Sequence, residues 1–191
     1  MEDRRTILTN IKVNQPALQE LPSIPDFSSG NDLLTEFTSK LELISVKWMV
    51  LQEQMMVGDV ISSQYKGMAT ICSTAGGVAS QITLDQDMKP HLLKDVDLTI
   101  LRGEFGVAEN GAIWVSEDNM VVRASAFITQ HLVLVLPKEE IVETMHQAYK
   151  RIDLNQTDYG VFIAGPSKTA DIEQVLVTGA HGPRSLMVIL V

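Results

Sequence analysis

His131-Leu132-Val133-Leu134-Val135-Leu136 is the stretch on which the fold turns. It is an unbroken apolar run closed by Pro137, and a short apolar run bounded in this way reads as a strand buried on both faces. Similar runs lie at residues 46–51, 68–72, 97–101, 160–164 and 186–191. Between them the spacing predicts helices. One starts at Asn31 or Asp32 and runs to about residue 44, with Leu33, Leu34, Phe37 and Leu41 on its buried stripe. A second covers residues 52–65, with Met55, Met56, Val60 and Ile61 inward. A third covers residues 138–152, with Ile141, Met145 and Ala148 inward.

Residues 105–109 and 112–116 flank Asn110-Gly111, which predicts a β-hairpin closed by a tight type I′ turn. Glu117-Asp118-Asn119 supplies another turn before residues 120–123. Buried strands alternating with helices mean an α/β fold, here three layers with a mixed sheet flanked by helices and an inserted β-hairpin. Ahead of this core, residues 3–12 read as a short helix with Ile7, Leu8 and Ile11 on one side. Pro16, Pro22 and Pro25 then punctuate a surface arm ending in Ser28-Ser29-Gly30. The expected division is an arm over residues 1–30 and one domain over residues 31–191.

The bulk numbers narrow the function. The 191 residues carry 24 acidic against 15 basic side chains, a formal charge of −9. That field repels a phosphate backbone, and the only basic clusters are the doublets Arg4-Arg5 and Lys150-Arg151, so nucleic acid is not an expected partner. Cys72 is the sole cysteine, which excludes an internal disulfide, a four-thiolate zinc site and an iron–sulfur cluster. Within Met68-Ala69-Thr70-Ile71-Cys72 it reads as a small buried hydrophobe. Four scattered histidines lack ligand spacing, so no metal site is expected. Met1-Glu2-Asp3-Arg4-Arg5 is followed by no apolar signal core, and the longest apolar runs fall far below the roughly 20 residues of a membrane helix. A cytoplasmic protein without membrane insertion is expected.

Three polar segments can carry chemistry. Gly165-Pro166-Ser167-Lys168-Thr169-Ala170-Asp171-Ile172-Glu173 follows a buried strand. Ser167 or Thr169 can cap a helix whose first turn holds Asp171 and Glu173. Free N–H groups there, with Lys168, would hold a carboxylate or a phosphate. Loops at the carboxyl ends of parallel strands are the usual ligand sites in open α/β sheets. A well-capped helix without a ligand explains the same residues. Glu109, beside the Asn110-Gly111 turn, is either an exposed turn carboxylate or a general base or nucleophile. His181 and Arg184 flank a Gly-Pro turn before the last strand. A histidine can exchange protons, and an arginine can fork onto a carboxylate. His131 opens a strand, where a structural histidine is the default. If residues 170–178 are helical, Ser167 and His181 lie at opposite poles. If residues 174–178 are a strand, the two motifs can converge. Val175-Leu176-Val177 suits either state.

These segments together resemble the LUD domain of the lactate-utilisation protein C family. The resemblance rests on Gly165-Pro166-Ser167-Lys168-Thr169-Ala170-Asp171-Ile172-Glu173, on Gly179-Ala180-His181-Gly182-Pro183-Arg184 and, more loosely, on Ala108-Glu109-Asn110-Gly111 and His131. It implies a fold like the NagB/RpiA/CoA-transferase group. It also implies a place beside iron–sulfur protein subunits in the oxidation of L-lactate to pyruvate, with no cofactor on this chain and the clusters on its partners. The site it implies has Glu109, His131 and His181 as catalytic residues. Ser167, Lys168, Thr169, Asp171, Glu173 and Arg184 would bind the substrate or its anion. Lys168 and Asn110 depart from the family's arginine and threonine, which opens the substrate to something other than lactate. Two further functions stand beside this one: a CoA transferase-like or ligase enzyme using Glu109, and a module binding a small carboxylate or phosphate.

Overall fold

The computed structural model describes residues 3–28, 30–153, 155–170 and 176–191. Its central element is a parallel sheet of five strands: β1 (Lys47–Val50), β2 (Ile71–Ser73), β3 (Leu98–Arg102), β6 (His131–Leu136) and β11 (Ser185–Leu190). Their spatial order is β1-β11-β6-β3-β2. The predicted run 131–136 is the middle strand, paired with Ser185–Leu190 on one side and Leu98–Arg102 on the other. Alternation explains why it reads as continuously apolar. Leu132, Leu134 and Leu136 pack into one cluster, and Val133 and Val135 pack into another. Each such buried side chain contributes roughly 1.5–3 kcal/mol.

One face of this sheet is covered by α3 (Val57–Gln64), which brings Val60 and Ile61 against Leu98, Ile100, Val133 and Ile189. The opposite face meets α2 (Leu33–Leu43) and a second sheet. Asp32 caps α2 by accepting a hydrogen bond from the Thr35 N–H at 3.0 Å, and Phe37 and Leu41 are fully buried.

The second sheet corrects one expectation. The hairpin strands β4 (Phe105–Val107) and β5 (Ala112–Ser116) do not enter the main sheet, which is wholly parallel. They join β7 (Ile141–Val142) and β8 (Gly160–Ile163) in the order β7-β4-β5-β8. The α/β architecture stands, and its mixed pairing belongs to this second layer. The turn differs as well. The hairpin pairs Val107 with Ala112, leaving four loop residues, and only Gly111 has positive φ (72°). A type I′ turn needs positive φ at both central residues. Asn110 instead accepts a hydrogen bond from the Ala112 N–H at 2.9 Å.

Two helices are shorter than predicted. The predicted helix 52–65 begins only at Val57. The predicted helix 138–152 gives way to β7, whose Ile141 pairs with Gly106, followed by α6 (Met145–Arg151). Residues 120–123 make no strand. Met120 ends α4 (Glu117–Met120), and Val121 follows at φ 60°. At the amino end, α1 (Asp3–Val13) leaves Ile7, Leu8 and Ile11 exposed. The arm after it touches the body where Phe27 stacks on His146, with ring centroids 5.0 Å apart, and where Ser28 Oγ accepts from Gln147 Nε2 at 3.1 Å. Among the described residues no helix is long and apolar enough to cross a membrane.

Candidate functional site

Among the described residues, the chain between β8 and β11 folds as a second hairpin, the strand arrangement and not the helical one. Strand β9 (Lys168–Ala170) pairs antiparallel with β10 (Leu176–Thr178), so Thr169 lies within a strand and Ser167 immediately before it. Asp171 and Glu173 lie outside the described residues. Pairing Thr178 with Lys168 folds the later motif back onto the earlier one. The Ser167 N–H donates to the Pro183 carbonyl, and the Gly179 N–H donates to the Ser167 carbonyl, both at 2.9 Å. Of the two arrangements left open by the sequence, the convergent one forms.

Glycines set the geometry. Gly165, at φ 90°, turns the chain out of β8 toward Ser167, and Gly179, at φ 78°, turns it out of β10. L side chains avoid this region. Gly182 matters for its missing side chain. A Cβ there would stand 3.1 Å from the Ser167 Cβ and 3.7 Å from the Phe127 carbonyl oxygen. The His181-Gly182-Pro183 turn is therefore packed flat against Ser167 on one side and α5 (Ser125–Ile128) on the other.

Ser167, Lys168 and His181 line a single cavity of about 280 Å³, together with Phe127, Leu132, Ile163 and Pro183. Lys168 Nζ donates to the Ile44 carbonyl at 2.8 Å, which ties the hairpin to the end of α2, and it lies 3.5 Å from Ser45 Oγ. An ammonium has three donors, so one remains for a ligand. A lysine, an imidazole and a hydroxyl around one concavity supply hydrogen-bonding groups and a positive charge, and Phe127, Leu132, Ile163 and Pro183 add apolar surface to the same lining. The cavity does not lie where strand polarity suggested. Strand β8 runs in the second sheet, antiparallel to β5. The turn 179–184 precedes β11, so the cavity opens at the amino rim of the parallel sheet.

The other candidate residues lie elsewhere. His131 pairs in register with Ser185 at that rim, and its Nδ1 lies 2.7 Å from Ser185 Oγ. The ring faces Tyr65, with centroids 6.1 Å apart, on the α3 side of the sheet. Leu132, the next residue, is the one that lines the cavity. Burial and then the Arg184 charge hold the His131 imidazole below its ordinary value, and Asp97 opposes them. Burial pushes the Tyr65 hydroxyl up to about 12. Arg184 is exposed, its stem beneath Gly179 and its N–H donating to the Gln130 carbonyl at 2.8 Å. Thr169 is exposed on β9.

Glu109 stands in a separate cleft with Phe27, Glu36, Glu143, Thr144 and His146, where its carboxylate accepts from the Met145 N–H at 2.8 Å. The structure thus gathers Ser167, Lys168 and His181, keeps His131 and Arg184 on the same rim, and sets Glu109 apart. Sequence reasoning did not single out Phe127, Tyr65 or Ser185. Only strand register brings Ser185 beside His131, and nothing in the local sequence marks it. Cys72 is buried against Thr99, Sγ to Oγ1 3.2 Å, and burial pushes its thiol up. Among the described residues no three His, Cys, Asp or Glu side chains form a metal-binding group.

Residues 79–191 match the LUD domain family. Lactate utilization protein C 1 of Bacillus mycoides (strain KBAB4) is 34% identical over 106 residues, 52% of this chain and 44% of that protein. Lactate utilization protein C of Oceanobacillus iheyensis is 33% identical over 106 residues, 52% of this chain and 46% of that one. The Bacillus subtilis (strain 168) protein of the same name is 32% identical over 114 residues, 56% of this chain and 46% of its own length. The matched region thus spans about half the length of these curated relatives. Among solved structures, a DUF162 family protein from Deinococcus radiodurans superposes with a TM-score of 0.62 at 14% identity, over 83% of this chain and 95% of that one, a likeness of fold. The family match covers more than half of the residues, including all that line the Ser167–His181 cavity: the chain belongs to the LUD domain family.

Proposed function

We propose that this chain serves lactate utilization as the cluster-free subunit of a system that oxidises L-lactate to pyruvate, and that it holds a small carboxylate in the Ser167–Lys168–His181 cavity. The observation that carries the reading is the convergence of those three side chains on one concavity. Kinship with proteins named lactate utilization protein C supports the pathway. Cys72, buried and with its thiol pushed up, is the opposite of a cluster ligand. In this reading the iron–sulfur centres sit on partner subunits. Conversion of lactate to pyruvate releases two electrons and two protons. The electrons pass to clusters on the partners, and this chain's part is to orient the acid and move protons. Lys168 faces the carboxylate, Ser167 donates to it, His181 takes the hydroxyl proton, and the C2 hydrogen leaves as a proton to solvent while its bonding electrons go to the partners' clusters. His131 with Arg184 on the same rim, and Glu109 in its own cleft, are candidates for proton relay and partner contact.

Titration of the full chain with L-lactate and with pyruvate, followed by NMR on the histidine rings and glycine amides, tests the site. Saturable shifts confined to Gly165, Gly179, His181 and Gly182 are expected. A charge-assisted hydrogen bond contributes about 1.5–3 kcal/mol, so Lys168→Met should weaken binding by roughly tenfold to a hundredfold. Absence of any carboxylate-dependent shift at these residues would overturn the site. The system-level reading is tested by co-purification with cysteine-rich iron–sulfur proteins. Isolation as a lone monomer, with unchanged growth on lactate after deletion, contradicts it.

A further inference from the structure

We propose that α1 and the arm behind it dock on a second copy of this chain, each protomer laying its helix on the acidic cleft around Glu109 of the other. The proposal is independent of the Ser167–His181 cavity.

The first observation is a folded helix that its own body does not cover. Every residue from Arg4 to Ser28 is exposed, a run of 25. Helix α1 has 11 residues, and a helix that short is marginal in water until an apolar face packs on something. Its sequence supplies such a face. Ile7, Leu8 and Ile11 fall on one stripe, each about half exposed. Leu18, Leu21, Ile24 and Phe27 follow at every third position and are exposed as well. Pro16, Pro22 and Pro25 favour an extended backbone of three residues per turn, which sets those four on one side. The run of 25 matches the roughly 20–30 residues that one partner gives to a stable interface.

The second observation is charge. Helix α1 holds Arg4, Arg5 and Lys12 against Asp3 alone, on a chain whose formal charge is −9. At helical spacing Arg5 and Lys12 flank the apolar stripe, so the surface that takes it is apolar with an acidic edge. This chain has one. Glu36, Glu109 and Glu143 surround a cleft that includes the Phe27 ring, and Tyr149, one turn beyond His146 on α6, adds an exposed aromatic side chain. The stacking of Phe27 on His146 shows that this cleft already seats an apolar residue of the arm.

The third observation is reach. The 14 residues from Asn14 to Phe27 span up to roughly 40 Å when extended, about the width of a domain of this size. Anchored at Phe27 and Ser28, the arm can carry α1 past its own body and onto a neighbour. Two such contacts close a twofold exchange of identical elements.

Sedimentation velocity on the full chain, from about 1 to about 100 µM, tests this, and a dimer is expected within that range. Ile7→Glu with Ile11→Glu should raise the dimer dissociation constant about a hundredfold or more. The near-ultraviolet circular dichroism of Trp48 and Trp114 should stay unchanged, because neither isoleucine packs on its own body. Arg5→Glu should weaken the dimer roughly tenfold, and raising NaCl from about 50 to about 500 mM should weaken it too. Glu36→Gln should weaken it severalfold from the acceptor side. A monomer at every concentration, or a dimer indifferent to the α1 substitutions, overturns the proposal. A dimer broken by those substitutions and untouched by Glu36→Gln overturns the cleft as the seat. A monomer that floats with anionic phospholipid vesicles makes a membrane surface the partner and overturns it equally.

Discussion

Gly165→Ala probes the hinge that delivers Ser167 and Lys168 to the cavity. Two costs can be read from the structure. Gly165 has φ 90°, so an alanine there takes up a left-handed conformation costing about 1–2 kcal/mol. Its Cβ would also stand 3.2 Å from the Ile44 carbonyl oxygen, a backbone atom at the end of α2 that cannot swing aside. The same carbonyl accepts the Lys168 ammonium at 2.8 Å, so any shift at Ile44 loosens the grip on Lys168. Against this stands the lower conformational entropy of an unfolded chain with alanine, about 0.4–1 kcal/mol. The net expectation is a loss of about 1–2 kcal/mol, or about 2–8 °C in the thermal midpoint for a domain of this size. Carboxylate binding should weaken with it. Gly76→Ala is the control. That glycine has no positive φ, and a Cβ there meets nothing within 4 Å, so its midpoint should hold or rise slightly. Paired thermal melts by circular dichroism decide the matter. Equal midpoints for Gly165→Ala and Gly76→Ala would refute the hinge argument.

Three further outcomes are expected. Gly160→Ala drives a methyl group into the Trp114 ring, so overpacking should cost about 1–3 kcal/mol. A double variant with Trp114→Leu should recover part of that in a denaturant titration, and no recovery would place the strain elsewhere. Because the folded structure holds His131 below its ordinary 6.5, its contribution to stability is complete above that value and drains as pH falls through the lower folded value. Arg184→Met removes one cause, so the His131 NMR midpoint should rise and the drop in thermal midpoint between about pH 7.5 and about pH 5.5 should shrink. An unmoved midpoint shows that Arg184 is not felt. Glu109→Ala should leave carboxylate affinity at the Ser167–His181 cavity within twofold, since Glu109 lies in another cleft. A change beyond about tenfold in calorimetry would join the two.

The parallel core was legible because residues buried on both faces leave an unbroken apolar signature, and β6 and β11 carry it plainly. The second sheet was not. A strand of two residues such as Ile141–Val142 has no room to display period two. Ile141, Met145 and Ala148 happen to fall at helical spacing, so the strand was absorbed into a helix that begins four residues later. Once Gly106 pairs with Ile141, tertiary contact settles what periodicity could not. The Asn110-Gly111 turn failed for a different reason. The dipeptide signal assumes pairing right up to the turn, whereas the ladder stops at Val107 and Ala112, and the asparagine serves the loop through its side chain.

The candidate site divides along strand parity, which no local motif encodes. In β6 the odd-numbered residues turn toward α3 and the even-numbered toward the second sheet, since Val133 and Val135 join one cluster and Leu132 and Leu134 the other. His131 therefore faces Tyr65 and Ser185, while its neighbour Leu132 lines the cavity of His181. Two histidines on one rim thus stand on opposite faces of one sheet. What joins them is the short connection from Gly179 to Ser185. It carries His181 at one end, the Arg184 charge that His131 feels near the other, and Ser185 itself, whose hydroxyl meets the imidazole. If the two histidines act in one reaction, protons and strain must pass through that turn, which is pinned at Pro183 by the Ser167 N–H and at Arg184 by the Gln130 carbonyl. Ligand bound beside His181 then has a physical means of shifting the titration of His131, and a titration that ligand leaves unmoved would mean that the two faces work independently.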